Sequence, residues 1–279
     1  MIITVLVENT ETEGLCAEHG LCLHVEYRGR SYLIDSGAGT ALTVNADRLG
    51  VDLGRVDGAF LSHAHYDHGG GYPAFFQRNS RAKVVLQKAS GNRECWKIVG
   101  PARKYIGLPK DLLTEYRDRF EFINGAADLG GGIHIVPHSS GGLLARAERT
   151  HMCVEIGGRT EFDDFSHEQT VVFEEEDGLV CFNSCSHSGV DVAVDEVQRA
   201  FPGRRIKAYV GGFHMMGTDG VSTCAYPKEE VQQVARRLLE TSDATFWSGH
   251  CTGTIAYGWL KEVMQDRLEA LTPGKVFEI

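Results

Sequence analysis

The chain has no apolar run near the roughly 20 residues that a bilayer-spanning helix needs. Its opening MIITVLV gives way to Glu8, Asn9 and Thr10, so it reads as a first strand, not a signal peptide. Positive charge is also in short supply. Asp and Glu outnumber Lys and Arg by 38 to 28, a formal net charge of −10. That balance argues against nucleic acid or a membrane surface as the partner, and leaves a small molecule. A bound metal would still supply a local positive field able to attract an anionic one. The eight cysteines form no C-x-x-C pair and follow no repeating spacing. They read as reduced thiols of a cytoplasmic protein, with Cys181 and Cys185 the pair to watch. Neither an internal repeat nor a low-complexity linker marks a boundary. The 279 residues, 42% of them hydrophobic, are therefore read as a single domain spanning 1–279.

What is present is a rhythm of short apolar runs and turns. IITVLV (2–7), LCLHVEY (21–27) and SYLIDSG (31–37) read as strands, and TALTVNADRLG (40–50) as a helix closed by glycine. VDGAFLSH (56–63) is another apolar strand. Further on, TVVFEEEDGLVCFNS (170–184) predicts a hairpin turning at Asp177-Gly178, and VDVAVDEVQRAF (190–201) an amphipathic helix. IKAYVGG (206–212) and ATFWSGH (244–250) predict strands; PKEEVQQVARRLLE (227–240) and GTIAYGWLKEVM (253–264) predict helices. The stretch around 90–165 lacks clean periodicity and reads as a loop-rich insertion of short strands over the site.

Chemistry concentrates where the strand at 56–63 runs out, in LSHAHYDHGGG (61–71). His63, His65 and Asp67 have i, i+2, i+4 spacing and would share one side of an extended chain. His68 joins them only if the chain turns, which Gly69, Gly70 and Gly71 would ease while letting the backbone pass close to what the side chains hold. Imidazoles with a carboxylate suit zinc, iron or manganese; magnesium or calcium would ask for more oxygen. Four ligands from one loop rarely complete a catalytic site. NSCSHSG places His187, and WSGHCTG places His250, just past predicted strands. Surface or helix-capping histidines are the alternative at each.

SHAHYDHGGG with CSHSG, GGFH and SGHCTG resembles the metallo-beta-lactamase fold superfamily. ENT, CAEHGLCLHVEY, LIDSGAG and NADRLGVDLGRVDGAFLSH make it similar to the branch named for 7,8-dihydropterin-6-methyl-4-(beta-D-ribofuranosyl)aminobenzene-5'-phosphate synthase, tied to methanopterin biosynthesis. The resemblance implies an α/β fold, a four-layer αββα sandwich with the metal site at one edge of the sheets, and one or two divalent metal ions, zinc foremost. It implies His63, His65 and His187 on a first metal, Asp67, His68 and His250 on a second, and Asp35 as a support for the metal loop. The sequence departs from that pattern at Ser184-Cys185, where many members carry a bridging Gly-Asp. Cys185 is then a soft ligand, a redox-sensitive neighbour or, the reading favoured here, a small buried residue.

The expected activity is hydrolysis of an ester, lactone or phosphoester, such as a phosphorylated pterin-related compound, by a metal-bound hydroxide, with Asp67 as catalytic residue. Glu18, His19 and His214 match branch motifs and are read as substrate-binding, though Glu18 and His19 would serve equally to tie down the first loop. Arg93, Lys97, Arg103 and Lys104 could meet a substrate phosphate, but a solvated charge run is favoured and they are left out of the site. Two other readings stay open. A di-iron oxidoreductase would want H-x-E-x-D in place of H-x-H-x-D and a flavin domain; a non-catalytic metal or redox sensor would use Cys181, Cys185 and Cys251.

Overall fold

The computed structural model describes residues 1–217 and 220–279, apart from the side chain of Val221. Two seven-stranded sheets dominate it. In order, the first runs Val276–Glu278, Ile2–Val7, Cys22–Tyr27, Arg30–Ile34, Gly58–Phe60, Val84–Gln87 and Phe120–Ile123. The second runs Leu268–Ala270, Thr245–Ser248, Ile206–Val210, Gly178–Phe182, Gln169–Glu175, Ile133–Pro137 and Ala127–Asp128. Side chains that alternate inward from both sheets meet between them. Val5, Val25, Ile34 and Phe60 from the first pack with Ile135, Phe173, Phe182 and Val210 from the second, all buried.

The outer faces are apolar as well, so each needs a helical cover. Helices Ala41–Leu49 and Tyr72–Arg78 bury Leu42, Ala46 and Phe75 against Leu33, Ala59 and Val84. Helices Val190–Ala200, Lys228–Thr241 and Thr254–Met264 bury Val194, Leu238 and Leu260 against Leu179, Tyr209 and Phe246. The result is the αββα order implied by the motifs. The first helix stops where expected: Gly50 turns left-handed at φ 72° and its N–H closes on Ala46 and Asp47. The hairpin pairs Glu175 with Gly178, and Pro227 stands just before the helix at 228.

Residues 90–165 divide among three sheets. Phe120–Ile123 extends the first large sheet, and Ala127–Asp128 and Ile133–Pro137 extend the second. The order Arg159–Phe162, Met152–Ile156, Glu94–Val99, Ala102–Tyr105 makes a separate four-stranded sheet. Among the described residues no helix is long and apolar enough to cross a membrane.

Each large sheet has a parallel core: Arg30–Ile34, Gly58–Phe60 and Val84–Gln87 in one, Gly178–Phe182, Ile206–Val210 and Thr245–Ser248 in the other. Parallel neighbours deliver their C-terminal ends to one edge, where α/β folds place ligands. Asp35, the segment 61–68, His187, His214 and His250 all follow those ends.

Candidate metal centre

The turns leaving the strands are tight, and several site residues occupy left-handed backbone that non-glycine residues avoid. Asp35, Ser186, His214 and His250 have φ of 60°, 50°, 47° and 49°. Such strain persists where the surroundings over-determine it. Around Asp35 they do so visibly. Its wholly buried carboxylate accepts hydrogen bonds from the Ser62 backbone N–H (2.7 Å), the Ser62 hydroxyl (2.6 Å) and His68 Nδ1 (2.7 Å). Asp35 thus holds the start of the histidine segment and the ring of His68.

The same anchoring recurs. His63 Nδ1 reaches Ser62 Oγ at 2.8 Å, His187 Nδ1 reaches Glu168 Oε2 at 2.5 Å, and His250 Nδ1 reaches Asn9 Oδ1 at 2.8 Å. Because the Ser62 hydroxyl proton goes to Asp35, its oxygen accepts from His63. In all four rings Nδ1 is held by an oxygen acceptor and Nε2 is turned inward, the arrangement of metal-binding histidines.

With His65 and Asp67 the histidines gather in two groups. The rings of His63, His65 and His187 lie 4.5 to 4.8 Å apart, centroid to centroid. Nε2 of His63 and of His65 is buried with no hydrogen-bond partner. In the second group His68 Nε2 lies 3.2 Å from His250 Nε2, and Asp67 Oδ2 lies 3.6 Å from the former and 3.4 Å from the latter. Bonds of about 2.0–2.1 Å in a tetrahedral site put ligand atoms about 3.3 Å apart. The donor spacing thus fits a zinc-like ion, which would replace the proton that His68 Nε2 shares with His250 Nε2.

Cys185 stands between the groups. Its sulfur is 3.2 Å from His68 Nε2, and it lies within 4.8 Å of donor atoms of His63 and His187 on one side and His68 and His250 on the other. It is buried, but among donor atoms, not among the apolar residues expected for a core thiol. His214 and Cys251 complete a further group of donor atoms around the same sulfur.

Electrostatics agree with this layout. Burial, then His68 and His65, keep His63 well below the ordinary histidine range, and burial, then His187, do so for His65. Both are neutral donors at pH 7. Burial would lower His68 too, but Asp67 and Asp35 raise it to about 9, so a metal must displace a proton there. Burial would raise the Asp67 carboxyl, but His68 and His250 hold it well below the usual carboxylate range.

A cavity of about 350 Å³ opens over the donors, lined by His19, His65, Asp67, His187, His214 and His250 among others. His19 sits at the rim, with Nε2 3.3 Å from Asp67 Oδ2 and Nδ1 3.2 Å from Asn9 Nδ2. His214 is buried, its Nδ1 without a partner, and burial followed by His187 lowers it to about 4. Glu18 does not reach this cavity. Its Oε1 accepts from the Ala38 and Gly39 N–H groups at 2.7 and 3.0 Å, which pins the loop after Asp35.

Sequence reasoning missed the supports behind His187. Glu168, fully buried, also accepts from the His187 N–H at 3.0 Å and takes His138 Nε2 at 2.6 Å. His138 Nδ1 meets Glu196 Oε2 at 2.7 Å on the helix behind. His167, paired with Asp163 at 2.9 Å, receives the Ala64 N–H and fixes the histidine segment from the other side. The glycine run has a different cause from the expected turn. Gly70 and Gly71 have ordinary φ of −68° and −82°. A Cβ at Gly70 would stand 2.2 Å from Ala38 O, and one at Gly71 2.0 Å from Ser36 O. The glycines admit the loop after Asp35, which approaches too closely for any side chain.

Comparisons with known proteins agree with the architecture. The family model described as Metallo-beta-lactamase superfamily matches residues 17–147. The 7,8-dihydropterin-6-methyl-4-(beta-D-ribofuranosyl)-aminobenzene-5'-phosphate synthase of Methanocaldococcus jannaschii is 22% identical over 277 residues, covering 94% of this chain and 90% of that one. A crystal structure of a metal-dependent hydrolase of the beta-lactamase superfamily superposes with a TM-score of 0.82 at 25% identity, over 100% of this chain and 99% of that one. Zinc-bound PqqB from Methylobacterium extorquens shares the fold alone, with a TM-score of 0.61 at 10% identity and 100% of both chains covered.

Proposed function

We propose that this chain is an enzyme of the metallo-beta-lactamase superfamily, whose fold it shares, and a metal-dependent hydrolase of small anionic molecules carrying an ester, lactone or phosphoester bond. The observation that carries the reading is the convergence of Nδ1-anchored histidines on two adjoining donor groups beneath an open cavity. His63, His65 and His187, whose rings adjoin, would hold one divalent ion; Asp67, His68 and His250 a second; Cys185 sits within reach of both. Zinc heads the candidates, with iron and manganese next, given nitrogen, oxygen and sulfur donors together. Such ions supply Lewis acidity, which acidifies water and polarises the bond to be broken.

The chain's own residues do the rest. Asp67, ionised, faces His19, His68 and His250 and lines the cavity, where it can orient an attacking water and take its proton. His214 and His19 flank the donors on the cavity wall and offer hydrogen bonds to substrate; Glu18 serves the loop. The eight unpaired thiols suit a reducing, cytoplasmic setting. Phosphorylated pterin-related compounds rank first among substrates to try, because of the Methanocaldococcus relative.

Elemental analysis of the purified protein, with a panel of phosphodiesters, phosphomonoesters and lactones, tests the reading. Turnover that disappears with the metal in His63→Ala or His65→Ala supports it; full activity in either variant without metal refutes it. The neighbouring thiols of Cys185 and Cys251 favour a second reading, a metal or redox sensor. Stoichiometric metal without turnover on any substrate would select that one. Bound iron with redox activity would select an oxidoreductase.

A further inference from the structure

The four basic residues of the 90–104 stretch have different fates. Arg93 is bound to Asp164, and Arg103 donates to Glu155 at 3.0 Å while stacking 4.5 Å over the Trp96 ring. Lys97 and Lys104 have no hydrogen-bond or ion-pair partner among the described residues. They are also direct cross-strand partners in the antiparallel pair Glu94–Val99 and Ala102–Tyr105. Like charges directly opposite each other weaken a strand pair, and a placement of this kind asks for a counterion.

Strand alternation decides where both point. Trp96 and Arg103 lie on one face of the four-stranded sheet; Lys97, Val99, Lys104 and Ile106 lie on the other and line the cavity over the metal-site histidines. Met152, the partner of Lys97 on its other side, lines it too. This sheet is thus a roof over the cavity, and the part of its inner face that lines the cavity is apolar (Val99, Ile106, Met152) apart from the two ammonium groups. Lys97 is half-buried, and burial followed by Lys104 lowers its affinity for a proton, so an anion between the two would relieve both costs.

We propose that Lys97 and Lys104 form a phosphate subsite in the roof of the cavity, which grips a phosphate group of the substrate away from the bond that is cleaved. Two adjacent cations match a dianion better than a single carboxylate. The cavity, about 350 Å³, has the size of a small-molecule pocket and confines the substrate to a phosphorylated molecule of modest size. The proposal rests on the hydrolase reading for what happens at the other end of the molecule.

Calorimetric titration of the zinc-loaded full chain with phenylphosphonate, whose C–P bond resists hydrolysis, tests it, with benzyl alcohol as the uncharged control. Phenylphosphonate should bind and benzyl alcohol should not. Lys97→Met and Lys104→Met should each weaken binding about tenfold, the loss of one charge-assisted contact. Lys97→Arg should restore it to within about threefold, with zinc content and melting temperature unchanged throughout. Equal affinity in wild type and both Met variants would place the phosphonate on the metals alone and overturn the subsite, as would no binding to wild type. Lysine-dependent binding in a protein without hydrolytic turnover would leave the subsite standing and remove the hydrolase reading.

Discussion

Glu168→Gln probes the support of the metal centre at its most connected point. The carboxylate is fully buried and accepts from His187 twice, at 3.0 Å from the backbone N–H and 2.5 Å from Nδ1, and from His138 Nε2 at 2.6 Å. A glutamine must turn its NH2 group toward one of the two imidazoles, and it removes the charge opposite His138. Burial would lower His138, but Glu168 and then Glu196 raise it to about 9. A group raised in the folded state stabilises fully below its unfolded value near 6.5, and that contribution is lost as pH rises through about 9. The gap corresponds to about 3 kcal/mol, close to the cost of removing one partner of a buried pair, about 3–5 kcal/mol.

Because Glu196 still holds His138 in the variant, urea unfolding of metal-free wild type and variant should differ by up to about 3 kcal/mol at pH 6 and by much less at pH 10. Loss of the partner that orients His187 should also weaken zinc binding by about 10–100-fold. A variant with wild-type zinc affinity and a stability gap independent of pH would refute the argument that Glu168 holds both histidines.

Three more expectations follow from named contacts. Gly71→Ala forces a Cβ to within 2.0 Å of a backbone oxygen and should destabilise by more than about 3 kcal/mol in urea; a silent substitution would show that the loop after Asp35 can move aside. Cys185→Ser should abolish the thiolate-to-metal absorption of the cobalt-substituted protein, whereas Cys181→Ser, buried in the helix-covered core, should leave it intact. An unchanged spectrum in Cys185→Ser would return Cys185 to the role of a small buried residue. Zinc binding at pH 7 should release at least one proton, because His68 starts protonated at about 9. Calorimetry in buffers of different ionisation enthalpy reads that number, and a value of zero would contradict the placement of His68 among the donors.

Elements that carry a strong period were legible in the sequence: the helix ended by Gly50, the hairpin at 175–178, the helix 190–200 and the strand that leads to His63. So were the residues that the strand ends bring together, because their spacing is local. The strands at 120–123 and 133–137 were not assigned, since each is short and takes its place from a distant neighbour, not from its own pattern. For the same reason His138 and Glu196, 58 residues apart, could not be linked to His187. The role of the glycines was misread because φ alone does not require them; the crowding by Ser36 and Ala38 exists only in three dimensions. Lys97 and Lys104 differ from Arg93 and Arg103 in facing the cavity and in having no acid to pair with among the described residues, and a list of charges along the chain does not show that.

The central claim is that the histidine cluster holds metal and that this metal makes the chain a hydrolase. Its most direct test is reconstitution of chelator-stripped protein with zinc, iron(II) or manganese(II), following bound metal per chain and cleavage of bis(p-nitrophenyl) phosphate in the same samples. The account predicts uptake of up to two ions per chain and activity that rises with occupancy and vanishes again with chelator. Uptake in wild type equal to that of a variant with His63, His65, His68 and His250 all replaced by alanine, or activity indifferent to the chelator, would contradict it.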